Sequence, residues 1–217
     1  MTSTTDYFSP FSLWVCVRRQ AEGARAPAGE PARAASGALG AGPLVFVSRL
    51  HAQLYAGLRN REGGAHLWQC VPLQAFGLRD YMRTLGGRVD CELAYGFMAD
   101  EAGALVIADG APAVRFLELT FEAGDDIDDP TFSFNQWAFE FIHAEWLRIG
   151  AWSFHVSFGP IDEMGDAALA RLGDAVLVHT PLTRVLPDVD HWAVYDPRVG
   201  RWIAAAASVP VHALTLH

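Results

Sequence analysis

No lysine occurs in this chain of 217 residues; all sixteen basic side chains are arginine. Without a lysine amine there is no Schiff-base nucleophile, no anchor for pyridoxal phosphate and no phosphate-loop cation. Cysteine is almost as scarce. Cys16, Cys70 and Cys91 are widely spaced and odd in number, which argues against a disulfide framework and for a reducing compartment. No apolar run approaches the roughly 18 residues of a membrane span. The apolar stretch from Phe11 to Val17 has no positive charge before it and Arg18 and Arg19 directly after it, the wrong order for a secretory signal. The expectation is a cytoplasmic protein without membrane association.

Signature motifs are missing too. The chain has no G-x-S-x-G, no H-E-x-x-H and no C-x-x-C, so none of the nucleophile, zinc-protease or redox patterns with fixed spacing applies. Gly37, Gly40 and Gly42 precede a strand, whereas a dinucleotide fingerprint follows a strand and opens a helix. Basic charge is concentrated early: residues 89–217 hold six arginines against twenty acids, and the net charge is −9. That acidic two thirds lacks the basic footprint of a nucleic-acid binder and suits a basic protein partner or simple solubility. The Ala, Gly and Arg-rich composition is of the kind that high-GC bacterial genomes produce.

What is present is core. At 51% hydrophobic, the chain can build one large domain or two small ones. The predicted fold is α+β, with mixed α/β as the alternative: a largely antiparallel sheet wrapped around a long aromatic-rich helix over about 133–150, with two or three shorter helices. The domain reading is a single unit over 1–217, with two small α/β subdomains, about 44–130 and 131–217, as the other option. Residues 20–42, rich in Ala, Gly and Pro, read as a flexible loop.

In the long helix, Phe134, Trp137, Phe139, Phe141 and Trp146 supply the aromatics, Ser133 and Gln136 the spacing of a capping box, and Gly150 the stop. Elsewhere, Leu13, Val15 and Val17 alternate with Trp14 and Cys16, the pattern of a strand buried on both faces. Leu44 to Val47 predicts a strand, and Ser48 caps a helix with Leu50, Leu54 and Leu58 on one side. A strand over 66–73 and a short helix over 78–85 follow. Residues 88–98, 105–108 and 114–121 read as an antiparallel meander. Beyond Gly150 the pattern predicts a strand over 152–158, a helix from Pro160 to about Leu172, a strand over 175–179, a hairpin of 191–195 with 201–206, and an edge strand over 209–216.

Candidate chemistry is weighed against its plain alternative. His143, Ala144 and Glu145 open the zinc-deaminase signature, but its downstream P-C-x-x-C is missing. Glu140 and His143 make half of a carboxylate-bridged metal site, but no second E-x-x-H exists. Gln136, Glu140 and His143 therefore read as a polar seam along an otherwise apolar helix. Glu145 is the anomalous acid. It lies amid the apolar arc of Phe134, Ala138 and Ile142, where a carboxylate must pair with an arginine, reach the helix end or take a raised pKa. Asp125, Asp126, Asp128 and Asp129 lack the order of a calcium loop. With Glu118, Glu122, Asp188 and Asp190 they form the expected partner-binding surface.

No catalytic residue, metal ligand or cofactor is assigned. The leading functional expectation is a non-enzymatic, immunity- or adaptor-like domain that meets a basic protein through this acidic surface. The alternatives are a metal-dependent hydrolase assembled from dispersed His, Asp and Glu, and a domain that binds a small ligand in its aromatic interior.

Overall fold

Residues 89–99 are apolar on nearly every side chain, and a strand of that kind needs cover on both faces. The computed structural model describes residues 7–9, 11–18, 30–33, 42–63, 67–122, 132–134, 136–152, 159–185, 190–208 and 215–216. In chain order its elements begin with β1 (Tyr7–Phe8), β2 (Trp14–Arg18), β3 (Glu30–Pro31), β4 (Leu44–Phe46), α1 (Arg49–Arg61), β5 (Trp68–Pro72), α2 (Leu73–Phe76) and α3 (Leu78–Thr84). They continue with β6 (Arg88–Ala99), β7 (Leu105–Ala108), β8 (Ala111–Pro112), β9 (Val114–Glu122), β10 (Phe132–Ser133) and α4 (Gln136–Arg148). The last are α5 (Asp166–Val178), β11 (Leu182–Thr183), β12 (His191–Asp196), β13 (Arg201–Ala206) and β14 (Thr215–Leu216).

The fold is α+β, and among the described residues a curled mixed sheet of twelve strands takes in strands from both halves of the chain. Strand β6 is its spine. One edge of β6 pairs antiparallel with β9 from Arg88↔Glu122 to Phe97↔Val114. The other edge takes β4 in parallel at residues 92–94 and β12 antiparallel at residues 97–99. The parallel β4–β6 pair requires a crossover, and residues 47–87 supply it with α1, β5, α2 and α3. Beyond β4 the sheet continues to β2, which also carries β5 and β3. Among the described residues no helix is long and apolar enough to cross a membrane.

Helix α1 begins where its sequence predicts. The Ser48 hydroxyl accepts the His51 backbone N–H at 3.2 Å, and Leu50, Leu54 and Leu58 are buried. Its opposite flank is buried as well, through Arg49, His51, Ala52, Tyr55 and Ala56, so α1 is the helix most enclosed by its neighbours. Helix α5 lies along it at close range. A Cβ on Gly57 would stand 2.7 Å from Leu177 Cδ1, and one on Gly173 would stand 3.3 Å from Gln53 Cγ.

Several expectations are corrected. The aromatic-rich helix runs over Gln136–Arg148 and not from Ser133, because Phe132 and Ser133 pair with β1. It buries Ala138, Phe139, Ile142, Glu145 and Trp146, while α1 buries eight of its thirteen residues. Residues 175–179 form no strand. Val176 and Leu177 pack inward from α5, and contact with α1 overrides the β-branched run. The predicted helix from Pro160 is divided at Gly165, whose extended ψ of 149° starts α5 afresh. The meander is replaced by a long β6–β9 hairpin with the small β7–β8 hairpin inserted at its tip. There β7 meets β6 only at Ala99↔Leu105. The strand expected over 152–158 and most of the 20–42 loop lie outside the described residues.

Along β6 the register shifts between Ala94 and Gly96, leaving Tyr95 as an extra residue. At this bulge the chain passes the indole of Trp192, and a Cβ on Gly96 would stand 2.5 Å from Cε3 and 2.9 Å from Cζ3. Glycine is required there for space. Gly96→Ala is expected to destabilise the protein by about 1–3 kcal/mol through overpacking. Gly159→Ala, which meets nothing within 4 Å, is expected to leave urea denaturation unchanged; equal midpoints for both variants would refute the assignment.

Candidate functional site

Three regions of the described interior combine buried polar groups with aromatic rings, and the first of them borders a cavity. Strands β2 and β5 pair with Trp14 opposite Pro72, Cys16 opposite Cys70 and Arg18 opposite Trp68. Residues opposite one another and two apart share a face, so Trp14, Cys16, Trp68, Cys70 and Pro72 stand together. Helix α1 lies over them: the Cys16 thiol donates to the Ala52 carbonyl at 3.1 Å, and the Cys70 thiol faces the Arg49 carbonyl at 4.0 Å. Where α5 joins α1, a cavity of about 550 Å³ remains, lined by Trp14, Arg49, Gln53, Trp68, Cys70 and Asp166, with Leu169 and Ala170 on the α5 side.

Arg49 organises this cavity. Its Nη1 donates to the carbonyls of Ile161, Asp162 and Met164, and its Nη2 to Asp166 Oδ1 at 2.5 Å. Its Cζ lies 4.9 Å from the centroid of the Trp14 ring, within cation–π range. Trp68 is covered in the same way by Arg59 at 3.8 Å. Trp14 is 8% exposed, and its indole N–H has no hydrogen-bond partner among the described residues. Burial pushes the Cys70 thiol up to about 12, against the opposing pull of Arg49. Burial likewise raises Asp162 to about 6, with Arg49 again opposing it. Chemically the site offers one orphan N–H donor, amides from Gln53 and Gln69, and a guanidinium whose charge Asp166 balances.

The second region surrounds His51, which is 2% exposed. Its ring centroid lies 5.5 Å from Trp146, 5.7 Å from Phe97 and 6.5 Å from Trp202. Nε2 is 3.2 Å from both the N–H and the carbonyl oxygen of Tyr195, so one tautomer accepts and the other donates. Desolvation lowers its pKa from 6.5 to about 4, against the Tyr195 hydrogen bond and the Asp196 charge. The third region is ionic. Arg115, 1% exposed, donates to the Tyr95 hydroxyl at 2.8 Å and to Asp190 at 2.7 Å. Nearby, Glu145 accepts both Arg148 nitrogens at 3.1 Å and the Ser208 hydroxyl at 2.7 Å.

The residues singled out from sequence are dispersed. Asp125, Asp126, Asp128, Asp129 and Asp188 lie outside the described residues. Glu118 is exposed on β9 opposite Thr215, and Glu122 ends that strand opposite Arg88. Asp190 is bound to Arg115 inside the protein. Gln136 and Glu140 are exposed and joined by a 2.8 Å hydrogen bond, and His143 is half-buried one turn on. Glu145 is 6% exposed and paired with Arg148. None of these lines the cavity. Its own residues were not anticipated; the alternation that puts Trp14 and Cys16 on one face of β2 was the available signal, and the β2–β5 register was needed to use it.

Two titrations follow. An imidazole that stays neutral to about pH 4 in the fold but protonates near 6.5 when unfolded contributes stability that is full above 6.5 and falls as the pH drops to about 4. The loss amounts to about 3 kcal/mol. His51→Gln is expected to flatten the stability profile in that window relative to the parent; parallel profiles would refute it. For Glu145, burial raises the pKa but the Arg148 and Ser208 hydrogen bonds outweigh it, and the net shift is downward. Its contribution is therefore present above about pH 4.5 and is lost as the pH falls through the lowered value. Glu145→Gln is expected to cost about 1–3 kcal/mol at pH 7 and progressively less as the pH is lowered below about 4.5, measured by chemical denaturation across that range.

Compared with protein-family models, with curated proteins and with solved structures, the chain matches none, so the chemistry of the cavity stands on its own geometry.

Proposed function

We propose that the protein binds a small, uncharged, planar ligand in the cavity between β2, β5, α1 and α5. The observation that carries this reading is a cavity of about 550 Å³ whose lining includes Trp14, an indole with no N–H partner among the described residues. Small-molecule sites commonly measure about 300–1,000 Å³ and combine apolar walls with a few convergent polar groups. A buried donor without a partner costs about 1–3 kcal/mol, and a ligand acceptor that reaches it as the wall relaxes recovers that energy on binding. Val71, Pro72, Leu169 and Ala170 give apolar walls, and Gln53 and Gln69 give amides that both donate and accept. Arg49 does not make this an anion site, because Asp166 neutralises it and Asp162 stands beside it. Neutral heteroaromatics with a ring acceptor fit these requirements.

The reading as an acidic surface for a basic partner has less support. Five of its eight acids lie outside the described residues, and Asp190 is held by Arg115. For the metal-dependent alternative, no group of three His, Cys, Asp or Glu side chains among the described residues comes together to hold an ion.

Calorimetric titration with nicotinamide, adenine and cytosine tests the proposal. Saturable binding of at least one is expected, weakened about tenfold in Trp14→Phe, the equivalent of one lost hydrogen bond. Binding that is absent for all three, or unchanged in Trp14→Phe, would overturn it.

A further inference from the structure

The wall of the cavity contains a second feature that ligand binding does not use. Cys16 and Cys70 face each other across the antiparallel β2–β5 pair, although 54 residues separate them in sequence. The two edges of β2 show which kind of pair this is. Leu73 N–H donates to the Leu13 carbonyl at 2.9 Å, so residues 13 and 73 form a hydrogen-bonded pair. Such pairs alternate along an antiparallel ladder, which makes 14/72 and 16/70 non-hydrogen-bonded pairs. Two independent facts agree. Position 72 is a proline, which has no N–H to give, and the Cys16 carbonyl points to the other edge, where it accepts from Ala32 N–H at 2.7 Å.

A non-hydrogen-bonded pair brings opposed Cα atoms to about 4.5 Å with the side chains closest together. Disulfides span Cα separations of about 4.4–6.8 Å. Both thiols also point the same way, since each faces a carbonyl of α1, Ala52 for Cys16 and Arg49 for Cys70, one turn apart on the helix. Cys91 is a natural internal control: it is buried on β6 opposite Leu119, away from any cysteine.

We infer that Cys16 and Cys70 are a redox-active dithiol that closes into a cross-strand disulfide when hydrogen peroxide enters the cavity. The two cysteines have different roles because their access differs. Cys70 is half-buried and lines the cavity, whereas Cys16 is fully buried behind it. Cys70 sulfur attacks one peroxide oxygen, the O–O bond breaks, and water leaves, giving a sulfenic acid at Cys70. Cys16 sulfur then attacks Cys70 sulfur and displaces hydroxide, which takes the Cys16 proton and leaves as a second water. The pair of sulfurs loses two electrons, hydrogen peroxide gains them, and the S–H···O contacts to Arg49 and Ala52 are given up. A reducing dithiol reverses the step by exchange. Burial raises both thiols above their ordinary range, so closure is slower than oxidation of an exposed cysteine. The inference does not depend on the cavity binding a ligand.

The test exposes the folded full-length chain to hydrogen peroxide, quenches it in denaturant with an alkylating agent, and reads the intact mass and a peptide map. The expected result is a loss of two hydrogens, a fall from three alkylated thiols to one, and a crosslinked peptide joining Cys16 and Cys70, all reversed by dithiothreitol. Cys91→Ser is expected to behave like the parent. In Cys16→Ser, dimedone is expected to trap Cys70 as the sulfenic acid with no intramolecular crosslink; should that variant not fold, the peptide map of the parent decides alone. Three alkylated thiols after peroxide, Cys70 carried to sulfinic acid with Cys16 still free, or a disulfide between two chains would each overturn the inference.

Discussion

The first turn of α1 places Ser48, Arg49 and His51 together in the interior, and buried polar groups must find partners inside the protein. Arg49 and His51 each draw in a distant part of the chain, whereas Ser48 acts locally. Ser48 caps the helix that carries it. Arg49 collects three carbonyls from residues 161–164 and the Asp166 carboxylate. His51 reaches the backbone of Tyr195 on β12. One helical turn thus joins the start of α5 and the C-terminal hairpin, and the partners of Arg49 and His51 exist only when both are in place.

The cavity is a consequence of the same arrangement. Helices α1 and α5 meet closely at Gly57 with Leu177 and at Gly173 with Gln53, where missing side chains allow approach. Toward the N-terminal ends of both helices the guanidinium of Arg49 and the indole of Trp14 intervene, and the contact opens into a pocket. Trp14 is held by stacking on Arg49 while its N–H has no partner among the described residues. Structural need therefore explains the place of Arg49, whereas it does not explain the orphan donor of Trp14.

Much of the fold was legible in the chain. The cap at Ser48, the 191–195 and 201–206 hairpin and the stop at Gly150 all follow from local chemistry, and Gly150 takes a φ of 81°. The errors fall where distant packing decides. Val176 to Val178 reads as a strand by propensity, but its neighbour is a helix. The aromatic helix stands out by composition, whereas burial depends on how many faces are covered, and α1 buries eight residues to the five of α4. The candidate site was less legible still, because its residues come from positions 14, 49, 53, 68, 70 and 166 and share no motif.

By itself the sequence determined the kind of interior this protein has and the chemistry it lacks. Without lysine and without spaced catalytic motifs, and with tryptophan and phenylalanine throughout, it is built for burial. The tertiary structure decided which buried groups meet. Alternation along β2 places Trp14 and Cys16 on one face because the period of a strand is two, a local fact. That Cys70 stands opposite Cys16, and that Arg49 lies on Trp14, depends on the register of β2 with β5 and on the seating of α1. Register is a property of two segments jointly, so neither segment alone contains it.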